Sequence, residues 1–212
     1  MLIIFFILTQ NLPITWSQSY CTYDEAHGLG SGEYGLGFGI DNYCIYSGTN
    51  DTIAYDERRF DVWARTGIVK NFEFELKYSY PTAGVASIKY QLWDKMITSA
   101  LKFGFGYMKG TRIGYVTDYV YDFYGTLLIE KNLTHGIEFL YTPKIIYSIH
   151  YRDRQEHSDR PPRKISHIGH CFGFALGTRI IFLPEINWLW GNNDGTHYMV
   201  NQFGIGANLK IN

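Results

Sequence analysis

Three features of this 212-residue chain predict an all-β fold, an antiparallel up-and-down transmembrane β-barrel of about ten strands. Apolar and polar residues alternate with a period of two in one segment after another. Aromatic residues make up 17% and Gly numbers 22, while only 18% of residues are charged, a balance that suits crowded strands with aromatic girdles rather than soluble helices. Tight and longer connections also alternate along the chain, as they do when every second turn lies at the same end of a barrel. The period is plainest from Phe203 onward, where Phe203, Ile205, Ala207, Leu209 and Ile211 oppose Gly204, Gly206, Asn208 and Lys210.

In chain order, the first predicted strand is 33–46, with Tyr34, Leu36, Phe38 and Ile40 opposite Gly35, Gly37, Gly39 and Asp41. The next, 59–69, sets Phe60, Val62, Ala64 and Ile68 against Arg59, Asp61, Trp63 and Arg65. Segment 71–80 sorts Phe72, Phe74, Leu76, Tyr78 and Tyr80 from Asn71, Glu73, Glu75, Lys77 and Ser79, which no helix would do. Strands 83–93 and 97–108 follow, with Ile88, Tyr90, Phe103 and Phe105 on one face and Lys89, Gln91, Lys102 and Gly104 on the other. The second half predicts strands at 118–131, 136–152, 165–182, 186–191 and 197–211. Pro143 lies inside one of them and removes a ladder donor, so a bulge or bend is expected there. Tight breaks are expected near Val69-Lys70, Asp94-Lys95, 131–135 and Leu183-Pro184, and longer connections at 47–57, 108–117, 152–164 and 191–196.

Alternation alone does not say which face is outside, and residue size decides it. The apolar face carries Phe, Leu, Ile, Tyr and Trp on nearly every strand, more bulk than a small barrel holds inside. The other face is rich in small residues, among them Gly104, Gly106, Gly173, Ala175, Gly177, Gly204 and Gly206. Trp93, Tyr107, Tyr119, Tyr121, Trp188 and Trp190 fall near strand ends, where amphipathic rings favour the headgroup region. These hairpins, above all RTGIVKNFEFELKYSY, AGVASIKYQLWDKMITSALKFGFGY and the closing QFGIGANLKI, resemble those of Gram-negative outer-membrane β-barrel proteins. The resemblance covers most of 33–211 and implies an outer-membrane location, with membrane lipid and the outer-membrane insertion machinery as partners.

Ahead of the barrel, the apolar run Leu2–Leu8 with Thr15 and Ser17 behind it reads as an export signal over 1–18. Residues 19–32 are expected to form an N-terminal periplasmic segment, and 33–212 the barrel domain. Cys21, Cys44 and Cys171 allow a Cys21–Cys44 disulfide in an oxidising compartment but have no zinc spacing. A net charge of −1 without a basic patch excludes a nucleic-acid partner. Neither a cofactor nor a metal is implied.

The polar face places Arg59, Asp61, Arg65, Glu73, Glu75, Lys77, Lys89, Lys102, Asp118, Asp122, Glu130, Glu138, Lys144, Arg152, Arg179 and Lys210 toward the lumen. Such charges either pair across strands and fill a structural interior, or ring a narrow pore or binding cavity for small solutes. A secreted soluble barrel binding an apolar ligand is the alternative. A third is an outer-membrane barrel hydrolase built on His150, Asp153, His157, Ser158 and Asp159 around the longest loop. That loop, 152–164, also suits contact with anionic headgroups. His167 and His170 face opposite sides of one strand and make a poor metal pair.

Overall fold

The computed structural model describes residues 20–47, 53–80, 83–112, 116–153, 162–193 and 196–211. They form ten strands: β1 (Tyr34–Ser47), β2 (Ile53–Val69), β3 (Phe72–Tyr80), β4 (Ala83–Asp94), β5 (Thr98–Arg112), β6 (Val116–Thr134), β7 (Ile137–Asp153), β8 (Arg163–Leu176), β9 (Ile180–Asn193) and β10 (Thr196–Ile211). Each pairs antiparallel with its sequence neighbours, and β1 pairs with β10 from Tyr34↔Ile211 to Ser47↔Tyr198, so the sheet closes. Closure leaves no edge strand, which removes the row of unpaired backbone groups that an open sheet would present.

Burial follows the sequence period. Outward residues such as Leu36, Phe38, Ile40, Leu76, Ile88, Phe103, Ile168, Phe182 and Ile205 are exposed, while their alternates are buried. Phe38 is 57% exposed and Lys89 only 3%, so the fold turns its apolar face out and its charges in. Aromatic contacts continue across the outer face, from Phe105, Tyr107, Tyr121 and Phe123 on β5 and β6 to Phe139, Tyr141, Phe172 and Trp188 on β7 to β9.

At one end the strands join through 70–71, 95–97, 135–136 and 177–179. Left-handed backbone serves three of these turns, at Asn71 (φ 67°), Gly136 (φ 71°) and Gly177 (φ 123°). At the other end 154–162 is the longest connection. The expected connections 108–117 and 191–196 shorten to 113–115 and 194–195, because the strands run further than their apolar cores.

Two expectations fail in the second half. Segment 165–182 is not one strand, since the chain turns at 177–179, and Leu183-Pro184 lies inside β9 rather than at a break. Leu176 and Ile180 both face outward, so the alternation passes through the turn in phase and conceals it. Pro143 produces no bulge. The β6–β7 register is the same on both sides of it, Thr126↔Lys144 and Ile129↔Tyr141, and the ladder merely lapses between them. Pro184 does likewise toward β8, between Gly173↔Glu185 and Leu176↔Phe182, while Ile205↔Pro184 is kept on the other side. Register shifts occur instead at Ile45/Tyr46, Gly67/Val69, Gln91/Trp93 and Asn132/Thr134.

Candidate functional site: a lumen closed by the N-terminal segment

Residues 20–32, the described part of the segment ahead of β1, lie within the barrel. It runs from Tyr20, beside Tyr43 and His167 in the loop-side half, down to the turn end, where the chain reverses into β1. The reversal is fixed by Glu33 N donating to Gly30 O at 3.0 Å, and by Gly32 N to Gly67 O (2.9 Å) and Gly67 N to Glu33 O (3.0 Å). Gly32 adopts φ 82° there. Gly67 must lack a side chain, because a Cβ would overlap the carbonyl of Gly30.

Between these ends the segment satisfies its backbone with wall side chains in place of a sheet ladder. Acceptors from the wall take its amides: Gln202 Oε1 from Tyr20 N (3.0 Å), Glu185 from Thr22 N (2.9 Å) and Tyr23 N, Glu130 Oε2 from Ala26 N (2.9 Å) and His27 N (3.3 Å), Gln91 Oε1 from Gly28 N (3.1 Å), and Glu73 Oε2 from Leu29 N (3.1 Å). Donors from the wall reach its carbonyls: Lys144 to Tyr20 O and Lys77 to Cys21 O, both at 2.8 Å, Arg65 to Tyr23 O, and Lys89 to Glu25 O at 3.1 Å. A buried backbone must find such partners or carry a penalty for each orphaned group. The wall charges therefore form a hydrogen-bonding mould for an extended chain.

Asp24 is the anchor. Its Oδ1 lies 2.9 Å from both Arg65 Nη1 and Lys89 Nζ, and its Oδ2 2.8 Å from Lys102 Nζ, with no exposed side-chain surface. Glu75 returns to Arg65 at 2.6 Å and to Lys102 at 2.8 Å, and Glu73 to Lys89 at 3.1 Å, so three cations and three carboxylates interlock across β2, β3, β4, β5 and the segment. Burial by itself would raise the Asp24 carboxyl, but Arg65, Lys102 and Lys89 outweigh it and hold it well below the ordinary carboxylate range.

One step nearer the loops, Tyr23 stacks on Trp63 with ring centroids 5.1 Å apart and planes 9° from parallel. Its hydroxyl donates to Ile40 O at 3.1 Å, and Trp63 Nε1 donates to Asn208 Oδ1 at 2.5 Å. The glycines of β1 and β10 make room for this pair: a Cβ at Gly39 or Gly206 would stand 2.7 or 2.6 Å from the Tyr23 ring. Nearer the turns, Glu25, Glu130 and Glu138 bring carboxylate oxygens within 4.8 Å of one another, and Lys210 Nζ sits 3.3 Å from Glu25 Oε1.

Of the charged residues expected on the inward face, Arg59, Asp61, Arg65, Glu73, Glu75, Lys77, Lys89, Lys102, Asp122, Glu130 and Lys144 are buried, and Glu138 and Lys210 are half-buried. Arg179 is a correction: it lies exposed in the β8–β9 turn, since the strand that would have turned it inward ends at Leu176. The side chains of Asp118, Arg152 and Asp153 lie outside those described, as do His157, Ser158 and Asp159 and most of the loop proposed to meet headgroups. His167 faces the lumen and bonds Tyr198 (2.7 Å), whereas His170 packs outside against Tyr141 and Trp190, as the period required. Cys21, Cys44 and Cys171 are not joined to one another, so the expected Cys21–Cys44 disulfide is not formed. Cys21 Sγ accepts from Asn187 Nδ2 at 3.4 Å and Cys171 Sγ donates to Glu185 Oε2 at 3.4 Å.

Sequence reasoning missed Asp24, Glu25, Glu185, Asn187 and Gln202, and it put Gln91 and Asn208 on the inward face without giving them a role. The segment has no periodicity to expose it. The available signal was the row of glycines on the lumenal face of β1 and β10, which leaves volume that the wall does not fill. Beside Cys21 and Thr22 lies a cavity of about 40 Å³ lined by Lys77, Ser87, Lys102 and Tyr124, room for water and not for a solute.

No family model matches the chain, and no curated protein is significantly similar to it. Among solved structures it is similar to Neisserial surface protein A (TM-score 0.46, 7% identity, covering 85% of this chain and 100% of that one) and to Ail, the attachment invasion locus protein of Yersinia pestis, in complex with the heparin analogue sucrose octasulfate (TM-score 0.44, 8%, covering 85% and 99%). It is also similar to the outer membrane enzyme PagL (TM-score 0.37, 9%, covering 82% and 99%).

Proposed function

We propose that the chain is an integral outer-membrane β-barrel that is closed at rest by its own N-terminal segment, a structural wall rather than an open pore. The observation that carries this reading is the clasp itself: the backbone of Tyr20–Leu29 is held by side chains from β2, β3, β4, β6, β7, β9 and β10, with Asp24 locked among three cations. A belt of large apolar side chains, continuous around a closed barrel, supports lipid as its surroundings, because in water it would be an exposed patch of a size that soluble monomers avoid. Membrane lipid and the outer-membrane insertion machinery are then its partners. Passage of small solutes would require the segment to move.

The soluble alternative needs an apolar interior for its ligand, and the interior here is charged. The hydrolase alternative rests, apart from His150 on β7, on residues whose side chains lie outside those described.

Planar-bilayer recording tests the proposal. The intact protein is expected to give no discrete conductance steps, and a variant lacking residues 20–30 to give small ones once heat-modifiable migration confirms that it has folded. Stable steps from the intact protein would overturn the closed reading, as would a folded deletion variant that stays silent.

A further inference from the structure

Inward glycines of the barrel are accounted for by what they face, since a Cβ at Gly39, Gly204 or Gly206 would run into Tyr23. Gly84 on β4 faces outward, and a Cβ there would meet nothing within 4 Å. A glycine in a strand weakens it and often marks a place where a ligand comes close. Gly84 pairs with Tyr78 of β3 and Tyr107 of β5, and Ala86, the next outward residue, pairs with Leu76 and Phe105. Two small residues thus lie between two ridges of large, exposed ones. The result is an apolar furrow of about 510 Å³ along the loop-side half of β4.

A cation stands at the loop-side mouth of this furrow. β4 begins at Ala83, opposite Met108, but β5 runs on to Arg112, so the wall is higher on the β5 side. Lys109 is the first outward residue above the mouth, about 7 Å along the strand from Tyr107, and it is exposed. Its Nζ lies 5.7 Å from the ring centre of Tyr119, which is itself 6.5 Å from that of Tyr107. Tyr121 and Tyr151 continue the aromatic surface, with centroids 5.8 Å apart. Tyrosine rings favour the headgroup level of a bilayer, and a lysine stem can lie along apolar surface while its ammonium reaches that level.

We propose that the furrow and Lys109 together bind an acyl lipid with an anionic phosphate headgroup, drawn from the leaflet on the loop side: one chain lies over Gly84 and Ala86 between the two ridges, and the phosphate meets Lys109. The site rests on the lipid surroundings proposed above. Both of its ends select this occupant. The floor and flanks of the furrow are apolar and suit a flexible hydrocarbon chain, which fills such a shape without needing a matching surface. The ammonium at the mouth attracts an anionic headgroup and gives it charge-assisted hydrogen bonds. A second copy of the chain would have to bring a fitting ridge and a counter-charge for Lys109 at once, and the ridges beside the furrow, Leu76 with Tyr78 and Phe105 with Tyr107, carry no charge.

Native mass spectrometry of the full chain, released from detergent micelles after mixing with lipid, tests this. Dipalmitoyl phosphatidate is the probe, phosphatidylcholine with the same chains the comparison, and inorganic phosphate the headgroup alone. The parent barrel is expected to retain phosphatidate about fivefold more than phosphatidylcholine, the worth of one lysine at an anionic headgroup, and not to retain inorganic phosphate. Equal retention of the two lipids, or retention of phosphate alone, overturns the proposal. Gly84→Leu fills the furrow and is expected to cut phosphatidate retention several-fold in barrels that still migrate heat-modifiably; Ala86→Leu gives the same reading if Gly84→Leu does not fold. Gly125→Leu, at an outward β6 site with as much open space, is the control. An equal loss there, or none in the furrow variants, overturns the proposal, as does a dimer that the furrow variants break. Lys109→Gln is expected to abolish the preference for phosphatidate while chain binding remains, and an unchanged preference overturns the headgroup contact. Failure of the membrane reading itself would look different, as a barrel that folds in plain buffer.

Discussion

At the scale of single residues, Asp24 holds the most. Removing its charge leaves Arg65, Lys89 and Lys102 facing one another with only Glu73 and Glu75 to balance them. Asp24→Asn is expected to destabilise the folded barrel by about 3–5 kcal/mol, the range for removing one partner of a buried pair, read as a lower urea midpoint in detergent. The pH dependence has a definite sign. The folded carboxyl lies below its unfolded value of about 3.9, so its contribution is complete above that value and is lost progressively as the pH falls beneath it. Unfolding midpoints are therefore expected to be flat from pH 7 to 5 as far as Asp24 is concerned, and to drop less below pH 4 in Asp24→Asn than in the parent chain. An equal drop in both would place the acid sensitivity elsewhere. The wall partners of Asp24 could be named from the sequence, because position on an alternating strand decides which way a side chain faces. Asp24 itself was invisible, because an extended segment clasped by side chains needs no pattern of its own.

Among the elements, the strands were legible wherever one face was apolar, and their ends were not. The β8–β9 turn shows why. Gly177, Thr178 and Arg179 return the chain with Leu176 and Ile180 still on the outer face, so the pattern carries no mark of the reversal, while Leu183-Pro184, a conventional breaker, sits quietly in β9. A proline within a closed barrel costs a ladder bond toward one neighbour and leaves the register alone, since the neighbour on the other side and the rest of the strand still dictate it. This makes Pro143→Val informative. The new amide can pair with β6 across the lapse at Leu127 and Leu128, and β-branched Val suits the outer face. A stabilisation of about 0.5–1.5 kcal/mol, the net worth of one hydrogen bond, is expected as a raised urea midpoint. A midpoint that stays or falls would mean that something other than the proline interrupts the ladder.

For the whole molecule, the inside-out distribution of polarity decides its solvent. Residues such as Phe38, Ile40, Ile145, Ile168 and Phe203 stand half or more exposed while Asp61, Glu73, Glu75, Lys89, Lys102, Lys144 and Glu185 are buried within the wall. Refolding is expected to succeed with detergent or lipid vesicles, giving a boiling-dependent change in gel mobility, and to fail without them. A soluble monomer in plain buffer would sink the membrane reading. The architecture was readable from period, composition and turn spacing together. What the lumen contains was not, because a count of charges on inward-facing positions does not reveal whether they face water, one another or a length of chain.

The seam between β1 and β10 gives that content a consequence for assembly. Tyr23 lies against Gly39 of β1, Gly204 and Gly206 of β10 and Trp63 of β2, so the segment bridges the two strands that seal the cylinder. Once fourteen residue pairs join that seam, a mould so closely fitted admits no later arrival. The order of events expected from this fit is that the sheet curls around its own first residues, a mandrel on which the last strand closes.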